Sequence, residues 1–140
     1  MPHILLCDDE IHILRAAEFK LSKAGFEVEC ANDGQAGWEA IQRRLPDVLV
    51  TDLQMPRMTG IELARKVRQN PASKDLPILM LTAKGYELAQ HDVNNECGIL
   101  AVMTKPFSPR ELLKTIEAAL ASQSVPVGVA LGGNCLVESV

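Results

Sequence analysis

The side chains able to do chemistry gather at a few points along this 140-residue chain. Asp8, Asp9 and Glu10 follow an apolar run that ends at Cys7, and Asp52 follows a second run, Val48-Leu49-Val50-Thr51. Thr82 follows Ile78–Leu81, and Lys105 follows Leu100–Thr104. Carboxylates crowded into one place repel and raise one another's pKa. A hard cation relieves that repulsion, and Mg²⁺ takes one or two carboxylates, a carbonyl and several waters in octahedral geometry. Asp52 stands apart from the acidic triplet and is the available nucleophile. The chain has no Gly-rich phosphate loop, no serine in a nucleophile elbow, and no histidine near a strand end apart from His3. A carboxylate beside Mg²⁺, with Lys105 and Thr82 placed to hold equatorial oxygens, suits in-line phosphoryl transfer.

Each signal is weak alone. Acids after a strand also suit a helix N-terminus through the macrodipole, and a strand-end threonine or a surface lysine is ordinary. The inference rests on their joint placement, so the elements that position them matter. Strands are expected at His3–Cys7, Phe26–Cys30, Asp47–Thr51, Ile78–Leu81 and Leu100–Thr104. Between them run amphipathic patterns. Ile13, Leu14, Ala17, Leu21 and Ala24 share one helical face, stopped by Gly25 where a C-cap favours glycine. A second helix is expected over about Gly34–Arg44 with Trp38 and Ile41 inward, and a third over Gly60–Gln69 with Ile61, Ala64 and Val67 inward. A fourth, over about Tyr86–Glu96, is weakly patterned. The fifth begins at a capping box, Ser108-Pro109-Arg110-Glu111, with proline at the first helical position. Five β-α units in alternation predict an α/β domain, a parallel sheet doubly wound by five helices. In such a sheet, ligands bind in the crevice beyond the carboxyl ends of the strands, where these residues fall.

Composition removes other classes. With 14 Lys+Arg against 18 Asp+Glu the formal net charge is −4, which leaves no basic excess to hold nucleic-acid phosphates. One Trp, one Tyr and three Phe are too few for a base-stacking surface. No apolar stretch reaches the ~18–20 residues that cross a bilayer, and no signal-peptide pattern opens the chain, so a cytoplasmic location without membrane contact is expected. Cys7, Cys30, Cys97 and Cys135 lack paired metal spacing, and the two in strand-like runs, Cys7 and Cys30, are expected as buried thiols.

Together these residues resemble the chemotaxis-regulator-like receiver domain of two-component response regulators. The resemblance covers about Met1–Ala121. It is carried by Asp8-Asp9-Glu10, Asp52-Leu-Gln-Met-Pro-Arg-Met-Thr-Gly60, Thr82-Ala83 and Lys105-Pro106-Phe107, four motifs in order at strand ends. It implies a flavodoxin-like sheet of order 2-1-3-4-5 and a switch phosphorylated on Asp52 by a histidine kinase or phosphotransfer protein. It further implies that Asp9 ligates Mg²⁺ directly and Asp8 through water, with Asp52 and the Gln54 backbone carbonyl completing the protein ligands; Mn²⁺ can substitute. Thr82 would be the switch hydroxyl and Lys105 the partner of a phosphoryl oxygen. Gln54 and Lys84, two residues beyond the acceptor and the threonine, would modulate the phosphoryl lifetime. Such a chain is a phosphoacceptor module that assists its own phosphorylation and dephosphorylation, not an enzyme acting on a separate substrate. A downstream effector or output domain and a phosphorylation-dependent homodimer are further partners the resemblance admits.

One position departs from the family. Three residues before the lysine, where an aromatic is frequent, stands Val102, in the aliphatic run Leu100-Ala101-Val102-Met103. Two rival functions fit the residues less well. An aspartate-nucleophile phosphatase needs a second Asp two residues after the nucleophile, and Gln54 cannot carry a proton in that role. A degenerate receiver acting only as a docking platform would not need the full acidic, hydroxyl and lysine set. Residues 1–122 are expected to form the domain. Residues 123–140, with Pro126, Gly128, Gly132 and Gly133 and a single charge at Glu138, are expected to be a tail or the start of a linker.

Overall fold

The computed structural model describes residues 1–82, 98–105 and 107–124. Five strands, β1 (His3–Cys7), β2 (Glu27–Ala31), β3 (Val48–Asp52), β4 (Ile78–Thr82) and β5 (Ala101–Thr104), form one parallel sheet in the order β2-β1-β3-β4-β5. The order implied by the resemblance is the one found. Strand bounds move by a residue or so from expectation, which brings Asp52 and Thr82 inside β3 and β4 as their last residues.

Four helices are described: α1 (Ile11–Lys23), α2 (Gly34–Arg43), α3 (Gly60–Gln69) and α4 (Pro109–Ser124), the last being the helix expected as the fifth. The helix expected over residues 86–96, the 83–86 segment, Lys84, Cys97, Pro106 and Cys135 lie outside the described residues.

Period-two alternation along the strands gives each face its own core. Ile4, Leu6, Val48, Val50, Leu79 and Leu81 pack with Leu14, Ala17 and Leu21 of α1 and Leu112, Ile116 and Ala119 of α4. Leu5, Cys7, Leu49, Ile78 and Met80 pack on the other side with Ala40 and Ile41 of α2 and Leu63, Ala64 and Val67 of α3. Covered on both faces, β1, β3 and β4 are buried along their whole length. Each fully buried Leu or Ile is worth roughly 1.5–3 kcal/mol relative to exposure.

Local chemistry sets the helix ends. Gly25 takes φ +99° after α1, its N–H donating to the Ser22 carbonyl and the Phe26 N–H to that of Leu21, the paired bonds of a Schellman cap. Asp33 caps α2, its Oδ1 accepting from the Ala36 N–H at 2.7 Å. Ser108 and Glu111 form the expected capping box at α4, and Thr59 with Glu62 forms another at α3. A cap of this kind contributes about 1 kcal/mol.

Two apolar expectations were wrong. Ala24 is exposed because the chain has already left the helix there. Cys30 is exposed while Cys7 is buried. The difference is strand position: β1 is interior, whereas β2 is the sheet edge, where helix cover runs out.

Candidate functional site

The parallel register brings the chemistry to one edge. Cys7 pairs with Thr51, Asp52 with Leu81 and Thr82 with Thr104, so the carboxyl ends of β1, β3, β4 and β5 finish together. Backbone bonds close the rim: the Asp8 N–H donates to the Ala31 carbonyl at 3.1 Å, Leu53 N–H to Leu81 at 2.7 Å and Lys105 N–H to Thr82 at 2.7 Å. Asp8, Asp52 and Thr82 are all buried there, Asp8 at 1% exposure and Thr82 at 0%.

Lys105 reaches back across β4 and β3 on its four-carbon stem. Its Nζ lies 2.8 Å from Asp8 Oδ2, 2.9 Å from Glu10 Oε1 and 3.4 Å from Asp52 Oδ2. One ammonium thus faces three carboxylates. Asp52 feels the imbalance: burial first, and then the Asp8 charge, push its pKa up to about 6 against the opposing pull of Lys105. Burial likewise raises Asp8, although Lys105 and the Glu10 N–H, which donates to Asp8 Oδ1 at 2.9 Å, pull the other way. Burial alone would lower the Lys105 ammonium, but its bonds to Asp8 and Glu10 outweigh this and hold it above its ordinary value. Glu10 is lowered by its bond to Lys105.

The acids suit a hard cation. Asp8, Asp9 and Glu10 each offer a carboxylate oxygen, and these oxygens lie within 4.8 Å of one another. The donor set is all oxygen, as Mg²⁺ prefers. Asp8 Oδ2 is buried, and its described partner is the Lys105 ammonium at 2.8 Å.

The structure therefore brings Asp8, Asp9, Asp52, Thr82 and Lys105 to one rim. Gln54 is exposed in the loop directly after Asp52, and Val102 is half-buried in β5 against the α2/α3 core. Several residues around the site carried no assignment from the sequence. Glu10 emerges as a second anchor of Lys105. Arg57 adopts φ +69°, a left-handed backbone that favours glycine, and its Nε lies 3.6 Å from Asp33 Oδ2. Gly60 packs so closely on the acceptor strand that an added Cβ would overlap the Asp52 carbonyl oxygen and lie 3.1 Å from Leu53 Cα. The Thr59–Glu62 spacing was a legible capping signal, but nothing in the sequence pointed to the Arg57 backbone.

Comparison with known proteins gives consistent likenesses. A family model described as "Response regulator receiver domain" matches residues 4–117. The chain is 40% identical over 118 residues to the phosphate regulon transcriptional regulatory protein PhoB of Pseudomonas aeruginosa, covering 84% of this chain and 51% of that protein. It is 36% identical over 122 residues to the alkaline phosphatase synthesis transcriptional regulatory protein PhoP of Bacillus subtilis, covering 87% and 50%. The chain thus spans about half the length of the curated relatives it matches. Among solved structures, the chemotaxis response regulator CheY4 of Vibrio cholerae aligns with a TM-score of 0.78 at 35% identity, over 85% of this chain and 98% of that one.

Proposed function

The chain belongs to the response regulator receiver domain family, a phosphorylatable signalling switch of two-component systems, and from that premise we propose that Asp52 is its phosphoryl acceptor. The observation that carries the assignment is Asp52 itself: a buried carboxylate ending β3, 3.4 Å from the Lys105 ammonium and beside the acid triplet. The donor is the phosphohistidine of a histidine kinase or phosphotransfer protein. An Asp52 carboxylate oxygen forms the new P–O bond as the donor's P–N bond breaks in line with it, and the imidazole leaves. Lys105, already poised between Asp8 and Asp52, pairs with an oxygen of the arriving group.

Asp9, Asp52 and the Gln54 backbone carbonyl would hold Mg²⁺ directly, and Asp8 would hold it through water. When bound, the ion neutralises charge on the transferring group's oxygens. Thr82 bonds a phosphoryl oxygen through its hydroxyl, and that movement is the switch trigger. Val102 is too short to sweep the arc of an aromatic ring, so the phosphorylated state is read through the segment after β4 rather than through a rotamer change in β5. Gln54 and Lys84, two residues beyond the acceptor and the threonine in sequence, are assigned to modulate attack by water and hence the phosphoryl lifetime. The domain boundary expected at residue 122 falls two residues short of the end of α4 at Ser124, and the residues beyond α4 are proposed as tail or linker. The chain is proposed to act in the cytoplasm; among the described residues no helix is long and apolar enough to cross a membrane. The transcriptional role in the relatives' names belongs to those longer proteins.

Incubation with acetyl phosphate tests the acceptor. Intact mass should show a single phosphoryl adduct with Mg²⁺ or Mn²⁺ and none with EDTA, and Asp52→Asn should abolish it. An undiminished adduct in that variant overturns the assignment.

A further inference from the structure

The loop from Leu53 to Thr59, which follows the acceptor and carries Gln54, leans on the N-terminus of α2 at two points. At Gly34 there is no room for a side chain: an added Cβ would overlap the Met58 carbonyl oxygen and lie 2.6 Å from Met58 Cβ. At Asp33, itself buried, the carboxylate divides its oxygens. Oδ1 accepts from the Ala36 N–H at 2.7 Å and caps the helix, while Oδ2 faces Arg57 Nε at 3.6 Å.

Arg57 is the left-handed residue of a tight turn in which the Met58 N–H donates to the Pro56 carbonyl at 2.7 Å. The loop's two ends are tied by the Gly60 N–H donating to the Leu53 carbonyl at 2.8 Å, and Met55 and Met58 are sunk in the α2/α3 core. Its backbone thus has little freedom except against α2. Gln54 sits between the anchored Asp52 and this braced turn.

We propose that Asp33 and Gly34 are positioning residues for the acceptor site, holding the Pro56-Arg57-Met58 turn and through it the backbone at Gln54 in place to ligate Mg²⁺. The proposal rests on the acceptor and metal assignment above, and acts only through the loop, since neither residue touches the phosphoryl group. The bare Cα of Gly34 fixes how closely the turn approaches α2, and the Asp33 carboxylate adds a weaker tie, an ion pair at 3.6 Å to the exposed Arg57 guanidinium.

The test is the Mg²⁺ dissociation constant of the full chain, followed by amide NMR titration with MgCl₂. Gly34→Ala should weaken Mg²⁺ roughly tenfold, the size expected when a group supporting a ligand is disturbed. Gly25→Ala is the control. It forces a side chain onto the φ +99° backbone that ends α1, straining the fold where no atom lies within 4 Å of the new Cβ and without touching the loop or the site. It should stay within about twofold of wild type if support of this kind is what matters. Asp33→Asn keeps an oxygen to cap Ala36 but removes the charge facing Arg57, and should weaken Mg²⁺ about threefold; it decides alone if Gly34→Ala does not fold. Wild-type affinity in both Gly34→Ala and Asp33→Asn, or equal loss in Gly25→Ala, overturns the brace. A wild-type chain that binds no Mg²⁺ overturns the metal assignment and the brace with it.

Discussion

Lys105 sits closer to Asp8 than to the acceptor, its Nζ 2.8 Å from Asp8 Oδ2 against 3.4 Å from Asp52 Oδ2. Asp8 is almost wholly buried, whereas the other anchor, Glu10, is exposed. In this arrangement the ammonium's main electrostatic task is to compensate Asp8.

Removing that compensation should cost stability. Lys105→Met in EDTA should lower the unfolding free energy at neutral pH by ~2–4 kcal/mol, because a buried carboxylate loses its partner. Adding Asp8→Asn should recover most of the loss, a coupling read directly from urea denaturation of the two single variants and the double. Additive losses would show that Lys105 contributes through packing instead.

Asp52 should behave in the opposite sense. Its folded pKa, about 6, lies above the ordinary carboxylate value of 3.8, so its ionised form opposes folding. The penalty is complete above pH 6, is relieved as pH falls from 6 toward 4, and is absent below. Asp52→Asn in EDTA should therefore stabilise the domain at pH 7.5 by up to ~3 kcal/mol. The gain should shrink as denaturation is repeated at pH 5 and vanish near pH 4. A pH-independent gain would place its cause outside this ionisation.

The lifetime of the phosphorylated state should depend on Lys84, which lies outside the described residues. An acyl phosphate survives only while water is kept from in-line attack. By its sequence position two residues beyond Thr82, Lys84 is the proposed cover of the group, so Lys84→Ala should speed the loss of label after donor removal. A decay rate unchanged within error counts against that role.

The two described thiols should separate in alkylation. Burial raises the Cys7 thiol well above its ordinary value, and burial with the Glu18 and Glu29 charges pushes Cys30 up to about 11. Cys30, being exposed, should react with iodoacetamide in the folded chain, and at pH 8 more slowly than an unperturbed thiol because less of it is thiolate. Cys7 should react only after unfolding. Peptide mapping by mass spectrometry distinguishes them, and early labelling of Cys7 would contradict its burial.

Much of this protein was legible in one dimension because the physics involved is local or periodic. Apolar runs of strand length, helical spacing in Ile13–Leu21 and Ile61–Val67, the Gly25 stop and the Ser108 box each act within a few residues, and each is found in place. Strand ends are local too, so Asp8, Asp52, Thr82 and Lys105 could be picked out before any contact was known. Tertiary structure decided what depends on neighbours in space. Edge or interior position made Cys30 exposed and Cys7 buried from similar surroundings in sequence. Register and the reach of one side chain across two strands gave Lys105 its preference for Asp8 and Glu10 over Asp52. The close packing of Gly34 on Met58, and the left-handed Arg57 that faces Asp33, arise where two loops distant in sequence meet. Side-chain pattern carries no record of such a meeting, because what fits there is a missing atom and a backbone angle.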